Sequence, residues 1–192
     1  MNVMTPFQAT VNLQNGVIQP AAPIIERRLS HMRRMYANTA EAERILTEEG
    51  DRLIYEVYPA DLPEEEGHVL YCTTIIHPGT IGGEFHMTKG HYHSKRDRGE
   101  VYMGLAGTGG LLLQTEDGQT HYEPMVAGTV AYVPPYWAHR TMNTGTEPFI
   151  FFAAWPGDAG HDYGTIEELG FAKLVMQHEN HAIVTDNPKY GA

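Results

Sequence analysis

From Arg52 onward the chain is cut at short, regular intervals by turn signals: Pro78-Gly79, Gly82-Gly83, Gly109-Gly110, Asp117-Gly118, Gly128, and Asn143 to Gly145. Between them lie short runs rich in β-branched and aromatic residues. They predict strands over Leu53–Tyr58, Val69–Ile76, Phe85–Ser94, Glu100–Leu105, Leu111–Gln114, Thr120–Met125, Thr129–Val133, Ala138–Asn143 and Phe149–Trp155. So many short strands joined by tight turns argue for an antiparallel sandwich or barrel. The 20 glycines and 12 prolines among 192 residues suit that architecture better than a helical one. Helices are expected only at the margins. Leu29, Met32 and Tyr36 share one helical face, Asn38 with Glu41 resembles a capping box, and Gly50 is a plausible stop. A further short helix is expected from Thr165, with Glu168 as capping partner and Gly170 as its end. Residues 1–22, punctuated by Pro6, Gly16 and Pro20, read as an N-terminal arm, and 23–192 as one domain with helical N-terminal decoration.

A formal net charge of -11 makes nucleic acid an unsuitable partner. An anionic substrate then needs a site that is locally positive against the overall field. The single cysteine, Cys72, allows no intrachain disulfide, which favours a reducing compartment. The first residues do not read as a signal peptide, and no apolar run approaches a membrane span, so a cytoplasmic location is expected.

The chemistry centres on His91-Tyr92-His93. On a strand, residues two apart face the same way, so two imidazoles project side by side as two ligands of one ion must. Glu100 follows a turn-like stretch from Ser94 to Gly99 and opens the next strand; His139 sits at another strand start, after Pro134-Pro135-Tyr136-Trp137. Three imidazoles and one carboxylate suit a borderline divalent transition metal: iron(II), manganese(II), nickel(II), cobalt(II) or zinc(II). His31, His68, His121, His178 and His181 have no such company and read as surface or turn residues.

His91-x-His93, Glu100 and Gly107 resemble the first cupin motif, and Gly128, Pro134, His139 and Asn143 the second. Phe85 and Tyr136 stand where that pattern has glycine, and the gap from His93 to Glu100 is longer than usual. Four stretches are similar to the cupin-type, or archaeal-type, glucose-6-phosphate isomerases: Thr88 to His93, Glu100-Val101-Tyr102, Tyr132 to Thr141, and Asp158 to Thr165. So are Tyr55 to Tyr58 and Asp186-Asn187-Pro188. The resemblance runs from about Arg28 to Tyr190 and is densest from Tyr71 to Phe171.

This resemblance implies an all-β cupin barrel, a jelly-roll-like double-stranded β-helix with a few short peripheral helices. It implies a metal-dependent aldose–ketose isomerase of glycolysis and gluconeogenesis that interconverts glucose 6-phosphate and fructose 6-phosphate. His91, His93, Glu100 and His139 would hold one divalent ion per subunit, with iron(II) the expected metal. Thr74, Thr88 and Gly90 would take the phosphate, with Lys89 adding charge. Tyr55, Tyr102, Tyr136 and Trp155 would line the sugar site, Trp155 replacing a usual tyrosine. Glu100 is the first candidate base and His161 the second, either as base or as the acid that opens the pyranose ring, with Tyr163 orienting one of them, in a cis-enediol proton transfer or a metal-assisted hydride shift that leaves Glu100 as ligand only. A homodimer is expected, since cupins often bury a sheet face by pairing. An iron-dependent cupin dioxygenase and a non-catalytic sugar- or metal-binding cupin are the alternative readings.

Overall fold

The computed structural model describes residues 4–179 and 181–190. Its strands and helices, in chain order, are β1 (Thr10–Val11), β2 (Ile18–Gln19), β3 (Ile25–Arg28), α1 (Leu29–Met32), α2 (Thr39–Glu48), β4 (Leu53–Pro59), β5 (Val69–Ile76), β6 (Thr80–Ile81) and β7 (Glu84–Phe85). They continue with β8 (Glu100–Ala106), β9 (Thr108–Gln114), β10 (Thr120–Val126), β11 (Val130–Val133), β12 (Ala138–Asn143), β13 (Phe149–Pro156), α3 (Gly164–Leu169), β14 (Lys173–His178) and β15 (His181–Asp186). The all-β expectation holds. Every named pairing is antiparallel.

A six-stranded sheet in the order β11-β8-β13-β5-β4-β3 carries most of the architecture, alongside a three-stranded sheet, β10-β9-β12, and a four-stranded one, β15-β14-β7-β6. Among the described residues the pairings do not close into one ring; the first two sheets share a core instead. Tyr102, Phe149, Phe151 and Val133 of one join Leu111, Leu112, Leu113 and Met142 of the other in a single buried cluster. Strand alternation explains which side chains go there. On β8, Glu100, Tyr102 and Gly104 are buried while Val101 and Met103 are exposed. The same rule turns Ile76, Thr74 and Cys72 of β5, and Phe149, Phe151 and Ala153 of β13, toward the concave face, in register with Tyr55, Val57 and Pro59 of β4. That face becomes the wall of the site.

Several margins differ from the sequence expectation. The N-terminal segment forms a small hairpin, β1–β2, on the outer face of the large sheet, where Ile18 packs with Tyr58, Ile75 and Ile150. Gly16 makes this possible: it sits at φ 75, and a Cβ there would meet Ile150 Cγ2 at 2.6 Å. Phe85–Ser94 is not one strand. After β7 the segment is held by single bridges, Met87 to Met142, His91 to His139 and Tyr92 to Asp162, because it crosses between two sheets rather than lying in one. Helix α3 is secured by Asp162, whose carboxylate accepts from the Thr165 N–H at 3.3 Å and hydroxyl at 2.8 Å, instead of by a Thr165–Glu168 box. The hairpin β14–β15 lacks a glycine or proline signal because Glu179 itself takes the positive φ of 55. Asn38 does cap α2, accepting from the Glu41 N–H at 3.0 Å.

Candidate metal centre and its cavity

Backbone pairing brings the four expected ligands together. His91 N–H donates to the His139 carbonyl at 3.2 Å, and His139 N–H to the His91 carbonyl at 3.0 Å, so these two side chains start from directly opposed positions. His93 follows on the same side, its ring centroid 5.7 Å from that of His91 and 5.3 Å from that of His139. Between them Tyr92 turns the other way and is buried beneath the Arg96 guanidinium, 4.6 Å from its ring. Glu100 opens β8 on its concave face. One ligand atom from each of His91, His93, Glu100 and His139 lies within 4.8 Å of every other.

The long stretch from His93 to Glu100 is tied down by the segment after β13. Asp158 receives Arg98 at 2.8 Å and Lys95 at 2.7 Å, and Asp162 receives Arg96 at 2.7 Å. These cations hold the Asp158 carboxyl well below the usual carboxylate range. The clamp ties the loop between His93 and Glu100 to the Asp158–Asp162 segment. It also places the Arg98 carbonyl 2.9 Å from His93 Nδ1. That contact assigns the His93 proton to Nδ1 and leaves a lone pair on Nε2.

His93 Nε2 then faces Glu100 Oε2 at 3.1 Å, and His139 Nε2 approaches the same oxygen at 3.0 Å. His139 Nε2 is not aligned as a hydrogen bond, and it and His91 Nε2 are buried without a partner among the described residues. Lone pairs and an anion converging in a buried space require a proton or a cation between them. Burial alone would raise the Glu100 pKa, but His139 and His93 outweigh it and hold the carboxyl at about 2. Burial, with His139, His161 and His93 close by, pushes His91 well below the ordinary histidine value, so it is a neutral donor. Burial lowers His93 less than Glu100 and Arg98 raise it. Three neutral-capable imidazoles and an ionised carboxylate are the donor set a divalent transition ion takes.

His91, Glu100 and His139 of the cluster line a cavity of about 380 Å³. Of the other sequence-predicted residues, Tyr55, Thr74, Thr88, Gly90, Tyr102, Trp155, His161 and Tyr163 all line it. The Trp155 indole Nε1 is buried with no acceptor. The Trp137 carbonyl lies 3.4 Å from His139 Nδ1, backing that ligand from behind. The His161 ring lies 4.5 Å from His91 and parallel within 8° to Tyr163. Desolvation by the crowded wall depresses the His161 pKa, with Glu100 pulling the other way. Burial and the Glu100 charge push the Tyr102 phenol well up, so it remains a donor; burial takes Tyr55 to about 12.

Tyr136 is the predicted sugar-site residue not brought to the cavity. It is 61% exposed and sits at φ 71, serving the left-handed turn that glycine makes in the cupin motif. Asn143 and Gly107 of the motifs are framework. Asn143 donates to the carbonyls of Ile76 and Glu147 at 2.7 and 2.8 Å, and a Cβ on Gly107 would meet the Pro148 carbonyl oxygen at 2.3 Å.

One supporting residue escaped the sequence reading. Arg140, fully buried beside His139, donates through Nε at 3.2 Å and Nη2 at 2.6 Å to the Lys89 carbonyl. In a trans peptide this turns the Gly90 N–H the opposite way. Gly90 lines the cavity, and its N–H makes no backbone hydrogen bond among the described residues. Its φ of 75 and a Cβ clash with Phe171 at 2.8 Å keep the position for glycine. Arg27, Val57, Cys72, Phe151 and Ala153 also line the wall unpredicted; for the last four the signal was strand alternation on the concave face.

Comparison with known proteins shows the family. The family model described as Glucose-6-phosphate isomerase (GPI) matches residues 26–190. A glucose-6-phosphate isomerase of Thermococcus litoralis is 50% identical over 190 residues, covering 99% of each chain. That of Pyrococcus abyssi is 52% identical over 185 residues, covering 96% of this chain and 97% of its own. One from Sinorhizobium medicae is 34% identical over 165 residues, covering 86% and 77%. Among solved structures, a Bacillus subtilis oxalate decarboxylase aligns over 54% of this chain and 26% of its own, at 23% identity and a TM-score of 0.44. With a family model matched over residues 26–190 and relatives about 50% identical over nearly the whole chain, the chain belongs to the glucose-6-phosphate isomerase family.

Proposed function

We propose that this protein is an aldose–ketose isomerase that interconverts glucose 6-phosphate and fructose 6-phosphate. The observation that carries the reading is the sharing of one cavity by a buried four-donor metal cluster and a wall of hydroxyl and amide donors, in a chain of this family. The cavity volume falls in the range, roughly 300–1,000 Å³, of sites that enclose small ligands.

Isomerisation moves a proton from C2 to C1 and another between the attached oxygens. The difficult species carries negative charge on oxygen. A divalent ion held by His91, His93, Glu100 and His139 would supply a positive centre for that oxygen. Tyr102, held protonated by burial, can donate to the same region. Glu100, ionised and committed to its histidines, is a weak base. His161 is the better proton carrier, since its lowered pKa leaves it neutral at pH 7 and the cavity places it beside His91. Tyr163 stacks on it and sets its orientation. Thr74, Thr88 and the free Gly90 N–H receive the phosphate, Tyr55 supports that end, and the Trp155 N–H is free for a sugar hydroxyl.

Iron(II) is our choice of native metal, and glycolysis and gluconeogenesis in the cytoplasm the setting. The chain acts as a homodimer. Val130 and Tyr132 of β11 lie beside Met103 and Val101 of β8, and these beside Phe152 and Ala154 of β13, on an outer face the N-terminal hairpin leaves bare. A second copy packed there would cover it.

A coupled assay for fructose 6-phosphate conversion, on chelated protein and after adding iron(II), manganese(II), nickel(II) or zinc(II), tests the reading. Activity should vanish on chelation and return with metal. No turnover with any metal would refute the isomerase function. Deuterium appearing in product from D₂O supports proton transfer through His161; complete retention of the substrate hydrogen would assign a hydride shift.

A further inference from the structure

We infer that Arg27, on the edge strand β3, is the phosphate-binding cation of the cavity and the residue that selects phosphorylated over unphosphorylated sugars. The inference deepens the isomerase reading and rests on it. A phosphate dianion entering a chain of formal net charge -11 needs local positive charge. Apart from histidines, the cavity is lined by two basic side chains, Arg27 and Lys89. Lys89 is already committed: its Nζ pairs with Glu167 at 3.1 Å. Among the described residues Arg27 has no carboxylate partner, and its one hydrogen bond goes to the neighbouring Glu26 carbonyl at 3.1 Å.

Sheet register aims it. Arg27 is paired with Tyr55, and Tyr55 is buried on the concave face, so the guanidinium starts on the same side. A β-bulge between Arg27 and Arg28 separates the two adjacent arginines. Arg28 is spent on the rim, donating to the Asp51 carbonyl and to Glu26, and Arg27 stays with the cavity. Its charge is felt at both Tyr55 and Tyr163, and Thr88, Lys89 and Gly90 line the same cavity as these tyrosines. Arg27 therefore shares the cavity with the Thr88–Gly90 segment. The metal ligand Glu100 lies on β8, four strands away across the sheet. Asp61 and Glu64 line the cavity too, but both are exposed, where solvent screens them. A planar guanidinium with free donors is suited to two phosphate oxygens at once.

The test compares metal-loaded wild type with Arg27→Gln and Arg27→Lys. Loss of one charge-assisted contact should raise KM for fructose 6-phosphate by about 10- to 100-fold, with kcat within about threefold of wild type. The inhibition constant of inorganic phosphate should rise in parallel, and Arg27→Lys should fall between. An unchanged KM and phosphate constant in Arg27→Gln, or a fall in kcat at constant KM, would overturn the assignment. Calorimetric titration with inorganic phosphate separates this inference from the isomerase reading. If wild type turns over nothing, tighter phosphate binding to wild type than to Arg27→Gln still supports Arg27, and equal binding overturns it.

Discussion

Removing His139 should abolish the stabilisation this protein gains from metal, and the size of that gain can be worked out in advance. In the metal-free protein the space between His93 Nε2, His139 Nε2 and Glu100 Oε2 must hold a proton, since the His93 Nδ1 proton is directed to Arg98. A metal ion binds the folded chain there and not the unfolded one. At about 1,000 times its dissociation constant it contributes about 4 kcal/mol, which for a chain of this length is a rise of about 8–16 °C in melting temperature. The ion must displace the proton, which fixes the sign of the pH dependence. His93 has a raised folded pKa, so below it the proton is bound and competes. The increment is full above that pKa and shrinks as pH falls through it, by up to about tenfold in affinity per pH unit for each proton displaced. The assay is thermal melting of chelated protein with and without iron(II), manganese(II) or zinc(II), across a pH series. Each variant is compared with its own metal-free form, so that any cost of the substitution itself cancels. His139→Ala, which opens the buried centre, should reduce the increment to near zero. An increment that survives His139→Ala, or one independent of pH, would refute the reasoning.

Three further outcomes are expected. His86 is buried, its Nδ1 bonded to the His77 carbonyl at 3.1 Å and its Nε2 unpartnered, and burial lowers its pKa to about 4. Because the folded value lies below the unfolded one, its contribution is present above about pH 6.5 and lost as pH falls toward 4, by up to about 3 kcal/mol; denaturant titration of chelated His86→Asn should show a flatter slope in that window. Arg140→Met should lose about 2–4 kcal/mol of stability, because the buried Lys89 carbonyl loses both donors, and should raise KM for fructose 6-phosphate; an unaltered KM would mean the Lys89–Gly90 peptide needs no anchor. Tyr132→Glu with Val130→Lys should yield monomers by light scattering if a second copy covers the β8–β11 face; an unchanged mass would place the dimer elsewhere or exclude it.

The candidate metal cluster was legible in the sequence because its constraint is local and chemical. His91 and His93 are separated by one residue, and Glu100 and His139 open strands whose ends the turns announce. Tyr136, assigned to the sugar site by resemblance alone, stands outside the cavity, and the positive φ that accounts for its position shows only in the backbone. Arg27 and Arg140 were missed because their roles depend on partners far along the chain. Arg140 acts on Lys89 across two segments that touch only after the sheets meet, and the bulge that separates Arg27 from Arg28 leaves no mark in composition. The strand β3 itself is short, follows Pro23 and merges into α1, so no period identifies it. The outer hairpin was hidden likewise: Gly16 read as punctuation of an arm, whereas its missing side chain is what lets the hairpin lie flat on Ile75 and Ile150.

The two tryptophans stand at the two sides of the chemistry, and the chain has only two. Trp137 backs the ligand His139 through its carbonyl, and Trp155 looks into the cavity with an unbonded N–H. The protein thus carries its own optical reporter, with no third indole to dilute the signal. Binding of a redox-active ion should quench the emission, and a sugar hydroxyl arriving at Trp155 should shift its wavelength. With Trp137→Phe in hand the two events separate, so the order in which metal and substrate enter can be followed by stopped-flow light alone.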